Sequence, residues 1–424
     1  MGILIRMDNL RKPNFPKWFS ACFSHPLVLG LMVTIWQVGF ALSAGNGTAL
    51  ERYQSLTQWD GGWYRLIILQ GYHAPPIEEW NEENFGTVGF FPGYPLTAQF
   101  FYQLGLPVRV ALPFTAQLFA WLMWSFWFVL LKRWQLSPLV IFFATLLIVS
   151  HPMAFFLVAS YSESMCLAGF LGFWIGSQLQ TRWGIVMAIV HGIALTSSRI
   201  VGTPVALLPL IQKVIPKSND FMTWKRAILL SIGALLGVGT FFLFCQIRFG
   251  HWDMYQKTQG TFWKVHPDYT VVLTPTLYLP TLRHQPAERL FHADYWTSLR
   301  YDDLGYFQTA LGFWFFPAIA ILEFIGIYRG RTGWRQRWPF WYAAAVFFYL
   351  AAVAHYSRLF GSVTRHYYVA LIPITLAVCH ALSDYRLSRR VVVLVVVVLS
   401  LLALGLLIAQ YKTQAAYMQG LWIA

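Results

Sequence analysis

The fold class that this sequence predicts is an all-α, polytopic membrane protein. It has about eleven transmembrane helices, and two further helices lie on the membrane surface within the first extracytoplasmic loop. Composition is the first observation behind this reading. Hydrophobic residues make up 57% of the 424-residue chain and charged residues 11%, against about 45–50% and 25% in a soluble domain. Mean hydropathy is +0.51, and the chain carries 20 Trp, 21 Tyr and 35 Phe. The second observation is that the apolar residues collect in repeated runs of about 20, long enough for a helix to satisfy its own backbone across a bilayer. The third is an asymmetry of charge between the two sets of connecting segments.

The spans fall at approximately 27–45, 109–131, 137–151, 163–178, 183–197, 201–213, 226–247, 307–327, 339–357, 366–382 and 391–410. With the N-terminus in the cytoplasm, the segments on that side hold 18 of the 31 basic residues, among them Arg11, Lys12, Lys132, Arg133, Lys225, Arg329 and Arg390. Their only acids are Asp8, Asp220 and Asp384, while Glu323 lies inside a span. The opposite side has 13 basic and 13 acidic residues, so the positive-inside pattern accounts for the whole net charge of +14. No basic stripe with interleaved aromatics remains outside that pattern, which excludes nucleic acid as a partner. Met1–Lys17 is basic and broken by Pro13 and Pro16, and the next apolar run is long enough to stay as a helix, so no cleavable signal peptide is expected. Cys22, Cys166, Cys245 and Cys379 are scattered and form no C-x-x-C, which reads as packing rather than metal or redox chemistry. The chain divides into a membrane module over 1–247, an extracytoplasmic loop over 248–306 and a C-terminal membrane module over 307–424.

The first extracytoplasmic loop, about 46–108, holds the most distinctive stretch, W-D-G-G-W-Y-R-L-I-I-L-Q-G-Y at Trp59–Tyr72. Trp63, Leu66 and Ile67 stand at helical i, i+3, i+4 spacing, with Arg65 and Gln70 turned elsewhere, so the stretch predicts a surface helix with Asp60 at its head. A plain N-cap is the alternative reading of Asp60, and the two roles are compatible. Asn46-Gly47-Thr48 matches a glycosylation sequon. Glu78, Glu79, Glu82 and Glu83 form an acidic patch that reads as a solvated loop, with a divalent-cation site as the alternative. G-F-F-P-G-Y-P-L at Gly89–Leu96 opens a second helix too short to span, with Pro92 and Pro95 where missing N–H groups cost least.

Further along, His151-Pro152 and Ser160–Ser164 (S-Y-S-E-S) share one turn, and Thr196-Ser197-Ser198-Arg199 occupies the next turn on the same side. Ionisable residues at a membrane boundary are site candidates because desolvating them is costly without a partner. A helix-start cap is the alternative for Glu163 and an interfacial snorkelling side chain the alternative for Arg199. The loop over 248–306 is rich in aromatics and His, a composition that suits a sugar or lipid headgroup and equally an interface. Arg365-His366 joins the same side, and the last span is uniformly aliphatic, as a lipid-facing helix would be.

Asp60, Glu163, Arg199 and Arg365-His366 thus share the face opposite the positive charge. One carboxylate with several basic residues is what inverting transfer from a lipid phosphate needs. The carboxylate takes the proton of an attacking hydroxyl, and the cations stabilise the departing phosphate. Arg65, Trp59 and Tyr64 beside the acid complete the expected donor- and substrate-binding set. No D-x-D motif is present, which agrees with a donor that is not a nucleotide sugar.

In this order, W-D-G-x-W-Y…G-Y, F-F-P-G-Y-P-L, Y-S-E-S and S-R-x-x-G resemble the GPI mannosyltransferase 2 (PIG-V) family and its bacterial relatives, within the GT-C class of multi-span glycosyltransferases. The similarity covers residues 27–213, and beyond them only the general layout. It implies a GT-C-like fold, a polyprenyl-phosphate sugar donor, an extracytoplasmic active site and an aspartate in the first large loop, which matches Asp60. The chain departs from the pattern at S-S-R-I-V-G (197–202), which lacks the common Arg-Pro step. The expected function is a mannosyl or other hexosyl transferase of a bacterial inner membrane, acting on a lipid or glycan acceptor, with membrane lipids around it and no metal or other cofactor. A transporter or flippase of lipid-linked sugars is the alternative; it would want discontinuous spans with charge near the midplane and some internal duplication, and the sequence shows neither. A non-catalytic scaffold of a glycosylation complex is another.

Overall fold

The computed structural model describes residues 25–76, 79, 86–214, 222–263, 265–269, 292, 334–355, 363–382 and 389–421. The described residues form helices and turns, with no strand among them. In chain order the longer helices are α1 (Pro26–Ser43), α2 (Ala49–Gln54), α3 (Asp60–Gln70), α4 (Gly93–Gln103), α5 (Val108–Arg133), α6 (Pro138–Ser150), α7 (Glu163–Gln178) and α8 (Arg182–Ser198). They continue as α9 (Gly202–Val205), α10 (Leu208–Val214), α11 (Trp224–Phe249), α12 (Met254–Thr261), α13 (Trp334–His355), α14 (Val363–Leu382) and α15 (Arg389–Met418). Among the described residues, α1, α5, α11 and α15 are the helices long and apolar enough to cross a membrane.

Local chemistry sets the helix ends. Ser137, Thr181 and Thr223 cap α6, α8 and α11 by accepting the backbone N–H groups of Val140, Gly184 and Arg226. Pro26 and Pro138 occupy first-turn positions where no N–H is needed. Gly250, in the left-handed region at φ 78°, ends α11. Thr48 and Glu51 form a reciprocal capping box on α2, so the sequon threonine is engaged in a helix start. The Thr48 backbone and hydroxyl, both donating to Glu51, hold its carboxyl below the usual carboxylate range.

α1 packs on α5, α5 on α7, α7 on α8 and α8 on α11, while α13 packs on α14 and α15 on α6. Glycines make the α7–α8–α11 contacts close. A Cβ on Gly169 would lie 2.6 Å from the Leu195 backbone nitrogen, and one on Gly176 would lie 2.6 Å from that of Ala188. A Cβ on Gly192 would meet Ala234 of α11 at 2.5 Å. Such small-residue seams let helix backbones approach closely where apolar burial offers little drive. Gly169→Leu is therefore expected to lower stability by about 1–3 kcal/mol or more, because the obstructing atoms are backbone and cannot turn aside. Gly239→Leu, where no atom lies within 4 Å of the added Cβ, is the matched control. Thermal unfolding in detergent checks the pair, and equal midpoints would refute the seam.

Between α6 and α7 the chain runs through a wholly buried turn, residues 151–162, with a 3-10 stretch at Ala154–Leu157. Its backbone groups find partners: Ala154 N–H donates to the His151 carbonyl at 2.8 Å and Ser160 N–H to the Leu56 carbonyl at 3.1 Å. Gln37 and Gln117 donate to the carbonyls of Ala154 and Val158. A buried loop is tolerable only with such satisfaction.

Helices form where most spans are expected, and the two short helices expected in the first loop form as α3 and α4. The segment 201–213 differs. It is broken into α9 and α10, because Pro209 has no N–H for the Val205 carbonyl and its ring crowds that group. Neither piece is long enough to cross a bilayer. α3 also turns a different face inward: Gly61, Tyr64, Ile67 and Ile68 are buried, whereas Trp63 and Leu66 are only partly so. α15 runs past the expected end at 410 to Met418; its first half is exposed and aliphatic, while Gln410, Thr413, Gln414 and Tyr417 are buried. The span 307–327, the N-terminal basic segment, Glu78, Glu82, Glu83 and most of the 248–306 loop lie outside the described residues.

Candidate functional site: a buried ion cluster at the head of α3

Asp60 is the first residue of α3, where the positive end of the helix dipole favours a carboxylate. It is not a cap. The N-cap position is Trp59, no side chain caps the helix there, and the Asp60 carboxylate turns to α14 instead. Arg365 Nη1 donates to Asp60 Oδ2 at 2.8 Å. The same guanidinium places Nε 3.4 Å from Glu163 Oε1, and Arg199 Nη1 reaches that same oxygen at 2.8 Å. Arg199 also donates to His366 Nδ1, and Arg365 Nη2 stands 3.4 Å from His366 Nε2. His366 thus lies between the two guanidiniums, with one of them at each ring nitrogen.

Four stretches of sequence meet here for identifiable reasons. Gly61 lets α3 lie on the buried turn, since a Cβ there would sit 3.0 Å from Ser160 Cβ. Thr57 and Ser160 join hydroxyls at 2.7 Å, and the Tyr64 hydroxyl donates to Ser162 Oγ at 3.4 Å. Gly93 brings the F-F-P-G-Y-P stretch against Ser197, where a side chain would strike the Ser197 carbonyl at 2.9 Å. The Tyr94 ring then packs edge-on against Tyr64, with its hydroxyl donating to the Leu112 carbonyl at 2.7 Å. Burial, followed by the nearby Asp60 carboxylate, pushes the Tyr64 phenol up, so it remains a hydrogen-bond donor.

Glu163 is the first residue of α7, but no side chain caps that end, so the cap reading does not describe it. Its side chain is 0% exposed, Arg365 is 7%, Arg199 15% and Asp60 23%. The cluster therefore has a sealed floor, Glu163, and an open rim formed by Asp60 and Arg199. Arg199 is held by an ion pair rather than snorkelling away from one. Beneath Arg365 lie the rings of Tyr161 and Phe156, 4.9 and 5.4 Å from the guanidinium carbon.

Of the residues singled out from sequence, Asp60, Glu163, Arg199, Arg365 and His366 come together, with Tyr64 behind them. Trp59 turns its indole N–H to the Leu421 carbonyl at 3.2 Å, away from the ions. Arg65 makes no hydrogen bond or ion pair with the described residues. Five positions along a helix place it roughly 140° around from Asp60. Sequence reasoning missed Phe156 and Tyr417, and it singled out Tyr161 only as part of S-Y-S-E-S, without a role. Phe156 lies in an uninterrupted apolar stretch, and Tyr417 lies beyond the expected last span.

Two carboxylates and two guanidiniums balance each other, with the more exposed acid on the rim. Fold and site together define a protein whose described residues are helical, with membrane-type helices and a cluster of two carboxylates and two guanidiniums around a buried Glu163. No protein-family model matches the chain, and none of the curated proteins matches it either.

Proposed function

We propose that this chain is a multi-pass membrane glycosyltransferase of GT-C type, moving a hexose, mannose above all, from a polyprenyl-phosphate donor to a lipid or glycan acceptor. Asp60 is the general base. It takes the proton of the acceptor hydroxyl as that oxygen bonds to the anomeric carbon, while the bond from that carbon to the phosphate oxygen breaks and the configuration inverts. Arg365 and Arg199, spaced by His366, receive the charge growing on the leaving polyprenyl phosphate. Glu163 holds both guanidiniums from below. The reaction lies on the extracytoplasmic face of a bacterial inner membrane, with the N-terminus in the cytoplasm, as the positive-inside pattern supports.

The observation that carries this reading is the ion pair of Asp60 with Arg365 over a buried Glu163. Buried ion networks are poor sources of stability, because desolvation offsets their attraction. A rim acid beside a reachable guanidinium is suited to proton removal next to an anion. The test is to incubate purified protein with radiolabelled polyprenyl-phosphate mannose and a lipid extract, alongside Asp60→Asn. Label in a new product with the parent alone supports the reading. Equal transfer by both proteins removes Asp60 from the chemistry. Absence of transfer across a panel of polyprenyl-phosphate hexoses, with donor movement across vesicles instead, replaces the reading with lipid-linked sugar transport.

A further inference from the structure

The turn leading into Asp60 has a backbone that its sequence does not favour. Gly61 N–H donates to the Gln58 carbonyl at 2.9 Å, closing a four-residue turn whose second residue is Trp59. Trp59 has φ 50° and ψ −110°, the conformation of a type II′ turn at the position glycine dominates. The end of α15 holds this turn. The Tyr417 hydroxyl donates to the Leu56 carbonyl at 3.1 Å and accepts the Gln58 N–H at 3.2 Å. The Leu421 carbonyl accepts the Trp59 indole N–H at 3.2 Å. α15 is itself fixed to the frame. Gln414 donates to the Phe40 carbonyl at 3.0 Å, Tyr411 to the Ser43 carbonyl at 3.3 Å, and Met418 packs where Gly45 lacks a side chain.

Resting on the assignment of Asp60 as the base, we infer that Tyr417 and the Leu421 carbonyl are positioning groups that hold the 58–61 turn in its strained form and so aim Asp60 at Arg365. Neither touches the ions. Both act through the turn, and the strain at Trp59 is what makes the hold necessary. Glycine adopts the same φ and ψ without penalty. Trp59→Gly should therefore remove the need for the hold.

The test combines Tyr417→Phe, Trp59→Gly and the double variant. Tyr417→Phe keeps the ring against Phe155 and Phe156 while deleting the hydroxyl. Its kcat for transfer is expected to fall about tenfold with KM unchanged, since a small misplacement of a reacting group is costly. The double variant is expected to regain most of that loss, which lost packing alone would not permit. An activity-independent readout accompanies it. Asp60→Cys is prepared with Cys22→Ser, the remaining cysteines being buried, and a small thiol reagent is applied. Adding Tyr417→Phe is expected to raise the labelling rate about tenfold through local opening, and Trp59→Gly to restore it. Unchanged labelling with Tyr417→Phe, or no rescue by Trp59→Gly, overturns the inference. If the parent transfers no sugar, the proposed function fails while the labelling result still decides whether the turn is held.

Discussion

Asp60→Asn is expected to lower kcat for sugar transfer by about 10²–10⁴-fold, the range a positioned general base supplies. Asn retains an oxygen that can accept from Arg365, so the 2.8 Å contact survives in form. Arg365 also keeps Glu163, and the fold is expected to stay intact. The substitution removes the ability to take a proton and little else. Donor KM should therefore move far less than kcat, which steady-state kinetics with graded polyprenyl-phosphate sugar measures. A parallel rise in KM with kcat unchanged would make Asp60 a binding group.

The largest structural loss is expected at Glu163. Its carboxylate is fully buried and faces two guanidiniums through one oxygen, Oε1. Among the described residues, Glu163→Ala leaves two cations 15% and 7% exposed, with Asp60 the acid still paired to Arg365 and the His366 ring still against Arg199. Removing one partner of a buried ion pair typically costs about 3–5 kcal/mol, because the survivor keeps its desolvation penalty. Glu163→Gln preserves shape and an acceptor oxygen, so it should cost less. Denaturation in detergent micelles compares them. If Ala and Gln prove equally mild, the cluster is wetter than its burial implies.

Much of the fold was legible from sequence because apolar runs, Pro and cap residues are local signals. The expectation of 163–178 coincides with α7, and 183–197 with α8 to within a residue at each end. The break at Pro209 was equally visible, yet the surrounding hydrophobicity outweighed it. Site residues were legible to the extent that they are ionisable in an apolar chain, where charge is expensive and so conspicuous. That logic brings Asp60, Glu163, Arg199, Arg365 and His366 to one side but says nothing of pairing, since Asp60 and Arg365 are 305 positions apart. It also swept in Arg65, although helical geometry alone turns that side chain away from Asp60. Phe156 and Tyr417 carried no signal, and Tyr161 was visible only as part of the Y-S-E-S motif. Aromatics are abundant here, and which of them underlie a guanidinium or clamp a turn depends on tertiary packing.

The separation between Asp60 and Arg365 also has a consequence for biogenesis. Glu163 and Arg199 leave the ribosome close together and can pair early, but the acid on the rim must wait for a partner 305 residues later. At about 5–20 residues per second that wait is roughly 15–60 s. During it Asp60 has no cation from α14, and the turn before it lacks the grip of α15. The Asp60–Arg365 pair and the grip on the turn therefore form only after α14 and α15 have been made, so a nascent chain with its earlier helices formed still lacks both.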